Sequence, residues 1–160
     1  MKEIERFSPM HDIGKVGVSD EILLKRGKLT EQEFEEMKKH TIYGAEVLKA
    51  AEKHMKKREN GIFQMGIEIA EYHHERWDGT GYPLGLKGLE IPISARIMAV
   101  ADVFDALISE RCYKNAMTVS QAFEIIERSS GTHFDPIIAE VFISFKDEVQ
   151  DMLKDISLEN

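Results

Sequence analysis

TEQEFEEMKKHTIYGAEVLKAA, residues 30–51, decides the fold class of this chain. Thr30 with Glu33 three residues on is a capping box, the reciprocal pairing that opens a helix. Phe34, Met37, Ile42 and Leu48 follow at helical spacing and are expected to supply much of its buried face, with His40 inside the same helix. Residues 62–76 read as a second helix, ending in His73 and His74. Residues 94–107 read as a third, carrying Asp102 and Asp105 on one face at i, i+3. Thr118 with Gln121 opens a further capped helix with Val119, Ala122, Phe123 and Ile126 on one side. Asp135 followed by Pro136 starts the last one, because proline suits the first helical position. No stretch alternates convincingly as a strand, so the expected class is all-α.

Six residues stand out from this pattern: His11, Asp12, His40, His73, His74 and Asp102. Imidazole and carboxylate together suit iron, manganese, zinc or nickel, and a carboxylate can bridge two ions where an imidazole binds one. Adjacent residues on a helix point in different directions, so His73 and His74 can serve different ions, which favours a cluster over a single ion. An ionised Asp102 buried among Ala99, Val100, Val103 and Phe104 would be costly without a cation or hydrogen-bond partners. His54 lies in the charged run EKHMKKREN, residues 52–60, which reads as a solvated helix end or loop, and is expected to bind nothing. The Met and Phe residues are expected in the core.

Residues 77–92 form the longest irregular stretch, with Gly79, Gly81, Gly85, Gly88, Pro83 and Pro92. Long loops in compact domains are usually functional, and glycine permits close approach of backbone to a ligand.

The chain has 160 residues and a net charge of −8. That length fits one domain with its own core. The acidic balance argues against DNA binding, because a phosphate-tracking surface would be basic; a small ligand is expected instead. The single cysteine, Cys112, excludes an internal disulfide and fits a reducing compartment. No apolar run reaches the length of a membrane span and no signal peptide opens the chain, so a cytoplasmic domain without membrane contact is expected.

HDIGKVG (11–17), KRGKLTEQEFEEMKKHTIYGAEVL (25–48), YHHERWDGTGYPLGLKGLEIP (72–92), ARIMAVADVFDALISERCYK (95–114) and SGTHFDP (130–136) together resemble the HD-GYP domain, the bacterial branch of the metal-dependent HD phosphohydrolases. The resemblance implies a multi-helix HD-type bundle with a long GYP loop and a centre of two or three divalent ions. It implies hydrolysis of cyclic di-GMP to the linear dinucleotide or GMP. The six residues above would be the metal ligands. Lys15 and Asp12 would act in catalysis, and Lys15, Arg111 and Lys114 would hold substrate phosphates. Asp105 either orients the ligand or is a plain helix-face carboxylate. His133 belongs to the resemblance, but its position points to local hydrogen bonding. The GYP loop is linked in the family to docking of diguanylate cyclase domains; Tyr82 serves such a surface or anchors the loop.

Two departures qualify the resemblance. Cys112 stands where the family usually has proline, and it is not read as a nucleophile. Only ten residues precede His11, whereas the family has upstream helices that contribute a further histidine and, in three-metal members, a glutamate. The chain is therefore expected to be a single domain over 1–160, shortened at its amino terminus, with weak or absent phosphodiesterase activity and with homo-oligomerisation covering the exposed apolar surface. The alternative reading is a non-catalytic module that binds or docks signalling partners.

Overall fold

Helical periodicity is realised along the chain. The computed structural model describes residues 2–54, 63–109 and 117–158, and these form α-helices and 3-10 turns without a strand. The helices are α1 (Lys2–Phe7), α2 (Asp20–Leu23), α3 (Glu31–Lys38), α4 (His40–His54), α5 (Gln64–Tyr72), α6 (Ile93–Ile108), α7 (Val119–Arg128), α8 (Pro136–Ser144) and α9 (Lys146–Leu158). Among the described residues, no helix is long and apolar enough to cross a membrane.

Both capping boxes form, at Thr30/Glu33 and at Thr118/Gln121. The expected single helix over 30–51 is instead two. The carbonyls of Met37 and Lys38 accept hydrogen bonds from His40 Nδ1 (2.7 Å) and Thr41 Oγ1 (2.9 Å). Side chains have taken acceptors that a continuous helix would use, so α3 ends at Lys38 and α4 begins at His40. The buried face of α4 is His40, Thr41, Gly44, Ala45 and Leu48. Phe34 and Ile42, expected inside, are 44% and 41% exposed.

Helix α6 runs through the centre. On one side Ala99, Val100 and Phe104 join Phe123 of α7, Ala139 of α8 and Phe134. The rings of Phe104, Phe123 and Phe142 lie 5.0–5.1 Å apart, a spacing at which aromatic pairs attract beyond their buried area. On the other side Met98 meets Ile69 of α5 and Phe7 of α1. Phe7 is 2% exposed, and burying a ring of that size stabilises by about 2 kcal/mol, which ties the short α1 to the body. Asp102 avoids the cost of full burial among Ala99, Val100 and Phe104. It faces a cavity with its side chain 24% exposed, because those neighbours occupy the core side of the same helix.

Asp135 caps α8 as expected, with Oδ1 accepting from the Ile137 amide at 2.8 Å. Its other oxygen accepts from Arg96 at 2.6 Å, and Arg96 Nε donates to the Ile91 carbonyl, so one buried ion pair joins α6, α8 and the loop before α6. The last helix is not the one opened at Asp135: the chain breaks at Phe145 and α9 follows, with Val149 and Leu153 packed on the core. Helix α5 ends at Tyr72 rather than Arg76, leaving His73 as its cap and His74 in the turn beyond.

The turn Ile13–Gly17 lies directly on α4. A side chain at Gly14 would collide with the backbone of His40 and Gly44. Glycine here lets the His11–Asp12 segment approach the start of α4. Gly14→Ala is expected to destabilise the protein by on the order of 3 kcal/mol, the upper range for overpacking against backbone. Thermal unfolding of the metal-free protein checks this, and an unchanged midpoint would contradict the packing.

Candidate metal centre

Four chain segments deliver the six expected residues to one place. His11 follows the 3-10 turn Ser8–Met10, His40 opens α4, His73 caps α5 and Asp102 lies inside α6. His11 Nε2 lies 3.3 Å from Asp12 Oδ2 and 3.5 Å from Asp102 Oδ1. His40 Nε2 lies 3.5 Å from Asp12 Oδ1. The His73 ring is 5.2 Å from that of His11, 5.5 Å from that of His40 and 4.0 Å from that of His74. His40, His73 and His74 each turn a ligand atom to within 4.8 Å of the others.

Local backbone chemistry fixes these rings. His11 Nδ1 is 2.7 Å from the Ser8 carbonyl, His40 Nδ1 is 2.7 Å from that of Met37, and His73 Nδ1 is 2.9 Å from that of Ile69. A carbonyl can only accept, so each Nδ1 carries the hydrogen, and in the neutral rings of His40 and His73 Nε2 then presents a lone pair, the form that binds metal. In every case the acceptor lies three or four residues back, and the carbonyls of Ser8 and Ile69 also accept from the backbone amides of His11 (3.2 Å) and His73 (3.1 Å). Asp12 Oδ1, His40 Nε2 and His73 Nε2 are buried without a hydrogen-bond partner. Buried polar atoms are nearly always satisfied. A cluster of three acceptor atoms without donors is the arrangement a cation satisfies.

The electrostatics match. Burial pushes His73 down to about 4 and His74 to about 3, reinforced by the surrounding histidines, and burial also lowers His40. These three imidazoles are neutral at pH 7. Burial works against the charge on Asp12, but His11 and Lys15 outweigh it and hold the carboxyl well below the usual range; His11 does the same for Asp102. Burial likewise opposes a charged His11, yet Asp102 and Asp12 raise it to about 10. His11 therefore carries a proton when no cation is present, and a cation must displace it.

Asp12 presents its two oxygens to different partners, Oδ1 to His40 and Oδ2 to His11 and Lys15. That is the disposition of a carboxylate able to bridge two ions. Beside it opens a cavity of about 520 Å³ that His11, Asp12, Asp102 and Asp105 line with Ile97 and Met98. Asp105 thus faces the same space as Asp102. Lys15 reaches Asp12 Oδ2 at 2.5 Å and stays 39% exposed. Arg111, Cys112 and Lys114 lie outside the described residues. His133 stacks on Phe134 with centroids 4.3 Å apart, and its carbonyl accepts from the Trp77 amide; the expected local role is backbone bonding. His54 is exposed, its Nδ1 bonded to the Ala50 carbonyl.

The sequence reading missed Glu75. It is 2% exposed, and its carboxylate accepts from the amides of Leu84 (2.7 Å), Gly85 (3.1 Å) and Leu86 (3.0 Å). The loop after His74 is therefore folded around a buried carboxylate. Its Tyr82 ring lies 4.8 Å from that of His74, and the Tyr82–Pro83 peptide is cis. Only the position of Glu75 directly after the two histidines hinted at this.

The shifts fix a pH dependence for the metal-free protein. His73, His74 and His133 are depressed to about 4, 3 and 4, all chiefly by burial, against about 6.5 in the unfolded chain. Their stabilisation is full above about pH 6.5 and is lost as pH falls below it, because the unfolded state then binds more protons. His11 is raised, so its contribution is full below about 6.5 and is lost as pH rises toward 10. Urea midpoints are expected to peak near neutral pH and to decline on both sides; a profile still rising through pH 9 would contradict the His11 assignment.

Residues 5–138 match the HD domain family. The chain is 49% identical over 152 residues to a cyclic di-GMP phosphodiesterase of Thermotoga maritima, covering 95% of this chain and 39% of that protein. It is 50% identical over 143 residues to a cyclic di-GMP phosphodiesterase of Vibrio cholerae (89% and 29%), and 46% identical over 145 residues to that organism's 3'3'-cGAMP-specific phosphodiesterase 2 (91% and 26%). The chain spans less than two fifths of the length of these relatives. Divalent-metal binding is what the HD fold implies, and the orphaned acceptors fit it. With its histidine–aspartate cluster, its buried-carboxylate loop and these likenesses, the chain belongs to the HD domain family, in the HD-GYP branch.

Proposed function

We propose that this chain is the catalytic module of a metal-dependent phosphodiesterase that opens cyclic di-GMP to the linear dinucleotide or GMP. The observation that carries the reading is the set of buried acceptors without donors, Asp12 Oδ1, His40 Nε2 and His73 Nε2, in a chain about half identical to proteins named for that activity. His11, Asp12, His40, His73, His74 and Asp102 would hold two divalent ions, with iron or manganese favoured by the mixed imidazole and carboxylate set and zinc or nickel compatible; a third ion would need further ligands. Bound there, the ions neutralise phosphodiester charge and lower the pKa of a coordinated water.

The chain's own residues supply binding and orientation. Lys15, paired with Asp12 and partly exposed, would bring an ammonium to an arriving phosphate oxygen and offset its charge. Asp12, ionised at any working pH, holds both Lys15 and His11 in position. Asp105 lines the same cavity and would orient the ligand against Asp102. Arg111 and Lys114 would grip the phosphates. Docking of a diguanylate cyclase domain, which the resemblance implies for the GYP loop, would use the exposed Leu84 and Leu89, 64% and 79% accessible. A second reading, hydrolysis of a mixed guanine–adenine cyclic dinucleotide, is favoured by the names of three relatives and differs only in base recognition.

Protein reloaded anaerobically with iron or manganese is expected to hold close to two ions per chain by elemental analysis, and its hydrolysis of cyclic di-GMP, expected to be weak, should be abolished by chelator. His11→Ala and Asp102→Ala should lose most of the metal; unchanged content in both would remove the site. Lys15→Ala should keep its metal and lose about 10- to 100-fold in kcat/KM, the worth of one charge-assisted contact. Assaying 3'3'-cGAMP beside cyclic di-GMP separates the two substrate readings. Metal and nucleotide binding without turnover of either would favour the docking module.

A further inference from the structure

Three of the four cluster histidines have Nδ1 fixed by a backbone carbonyl, and His74 does not. Among the described residues its ring makes no hydrogen bond, and it lies past the end of α5 in a turn. Its ring orientation is set by packing alone: His73 at 4.0 Å, Tyr82 at 4.8 Å and His40 at 5.1 Å. His73 and His40 belong to the cluster, so Tyr82 is the outside wall. Tyr82 is carried by the loop that Glu75 gathers with its three amide contacts. The loop also presses on the His74 backbone, whose carbonyl accepts from the Tyr82 amide at 3.2 Å, and a side chain at Gly81 would collide with the backbone of Glu75 and Arg76.

We propose that Glu75 is a positioning residue for the metal centre, acting through Tyr82 to hold the His74 ring in its ligating orientation. The proposal rests on the metal reading of the site given above. A buried carboxylate is costly unless its lone pairs are taken, and three amides take them here. What that cost achieves is a fixed loop over the one cluster histidine that lacks a carbonyl anchor. Tyr82 thus replaces by ring contact what Ser8, Met37 and Ile69 do for the other three by hydrogen bonding. Outer partners that orient a ligating histidine contribute about 10- to 100-fold in metal affinity, which is the range expected for Tyr82.

Glu75→Gln and Tyr82→Ala in the full chain test this. Glutamine offers one accepting oxygen where three amides need both, so at least one amide meets an NH2 donor; Tyr82→Ala removes the ring and leaves the Glu75 contacts untouched. Each variant is expected to bind the weaker of its manganese ions about tenfold or more less tightly in chelator competition, with Tyr82→Phe like wild type. The Glu75→Gln/Tyr82→Ala double variant should be no worse than Tyr82→Ala, since both act through one ring. In metal-free protein, the ring nitrogen resonances of His74 should move in both single variants, with those of His11 and His40 unmoved. Wild-type ion affinity in Tyr82→Ala, or additive losses in the double variant, would overturn the proposal, and the Tyr82→Ala arm decides it should Glu75→Gln not fold. A wild-type chain that binds no manganese defeats the metal reading instead, and the resonance shifts, which need no metal, then decide the Glu75–Tyr82–His74 linkage alone.

Discussion

A lone pair buried without a donor costs free energy, and this protein places three together, on Asp12, His40 and His73. Much of the surrounding architecture serves that arrangement. The rings of His40 and His73 could escape by moving the hydrogen to Nε2, but Nδ1–H is held by the carbonyls of Met37 and Ile69. The imidazoles of His11, His40 and His73 each sit at the start, end or turn of a helix and bond to a carbonyl three or four residues back, which for His11 and His73 is shared with the residue's own backbone amide. Asp102 is the exception, mid-helix on α6, and as a carboxylate it needs no such anchor.

Packing brings these helix ends together. Phe7 under α1, Gly14 against the start of α4 and Met98 on α6 set the approach of four segments. The aromatic group of Phe104, Phe123 and Phe142 lies on the opposite side of α6 and holds that helix in register with α7 and α8. The Arg96–Asp135 pair adds a polar tie between α6 and α8. One helix thus serves the core with one face and the cluster with another.

The chain is acidic overall, at −8, which bears on how the proposed anionic substrate would be held. A phosphodiester would be repelled at long range and can be held only where positive charge is concentrated. The described part of the site supplies Lys15 and a set of neutral imidazoles and ionised carboxylates shaped for divalent cations. On the proposed reading, affinity for an anionic nucleotide would be linked to metal loading, through the same buried acceptors.

The sequence by itself determined those features whose physics is local. The capping boxes at Thr30 and Thr118 and the Asp135–Pro136 start were legible because capping geometry depends on residue types at fixed short spacing, and the six candidate ligands were legible by residue type alone. Tertiary structure decided the rest. Phe34 and Ile42 carry the periodicity of buried residues yet lie at the surface, because α3 is short and cut from α4 by side chains that compete for its carbonyls. Asp102 left the apolar set around it because a helix has more than one face, and only neighbouring helices decide which is core. Glu75 was invisible because its three partners lie nine to eleven residues away on a loop, and contacts at that separation leave no periodicity in sequence. Residue type fixed which atoms can bind a cation; only the packing of distant backbone brought them close enough to share one.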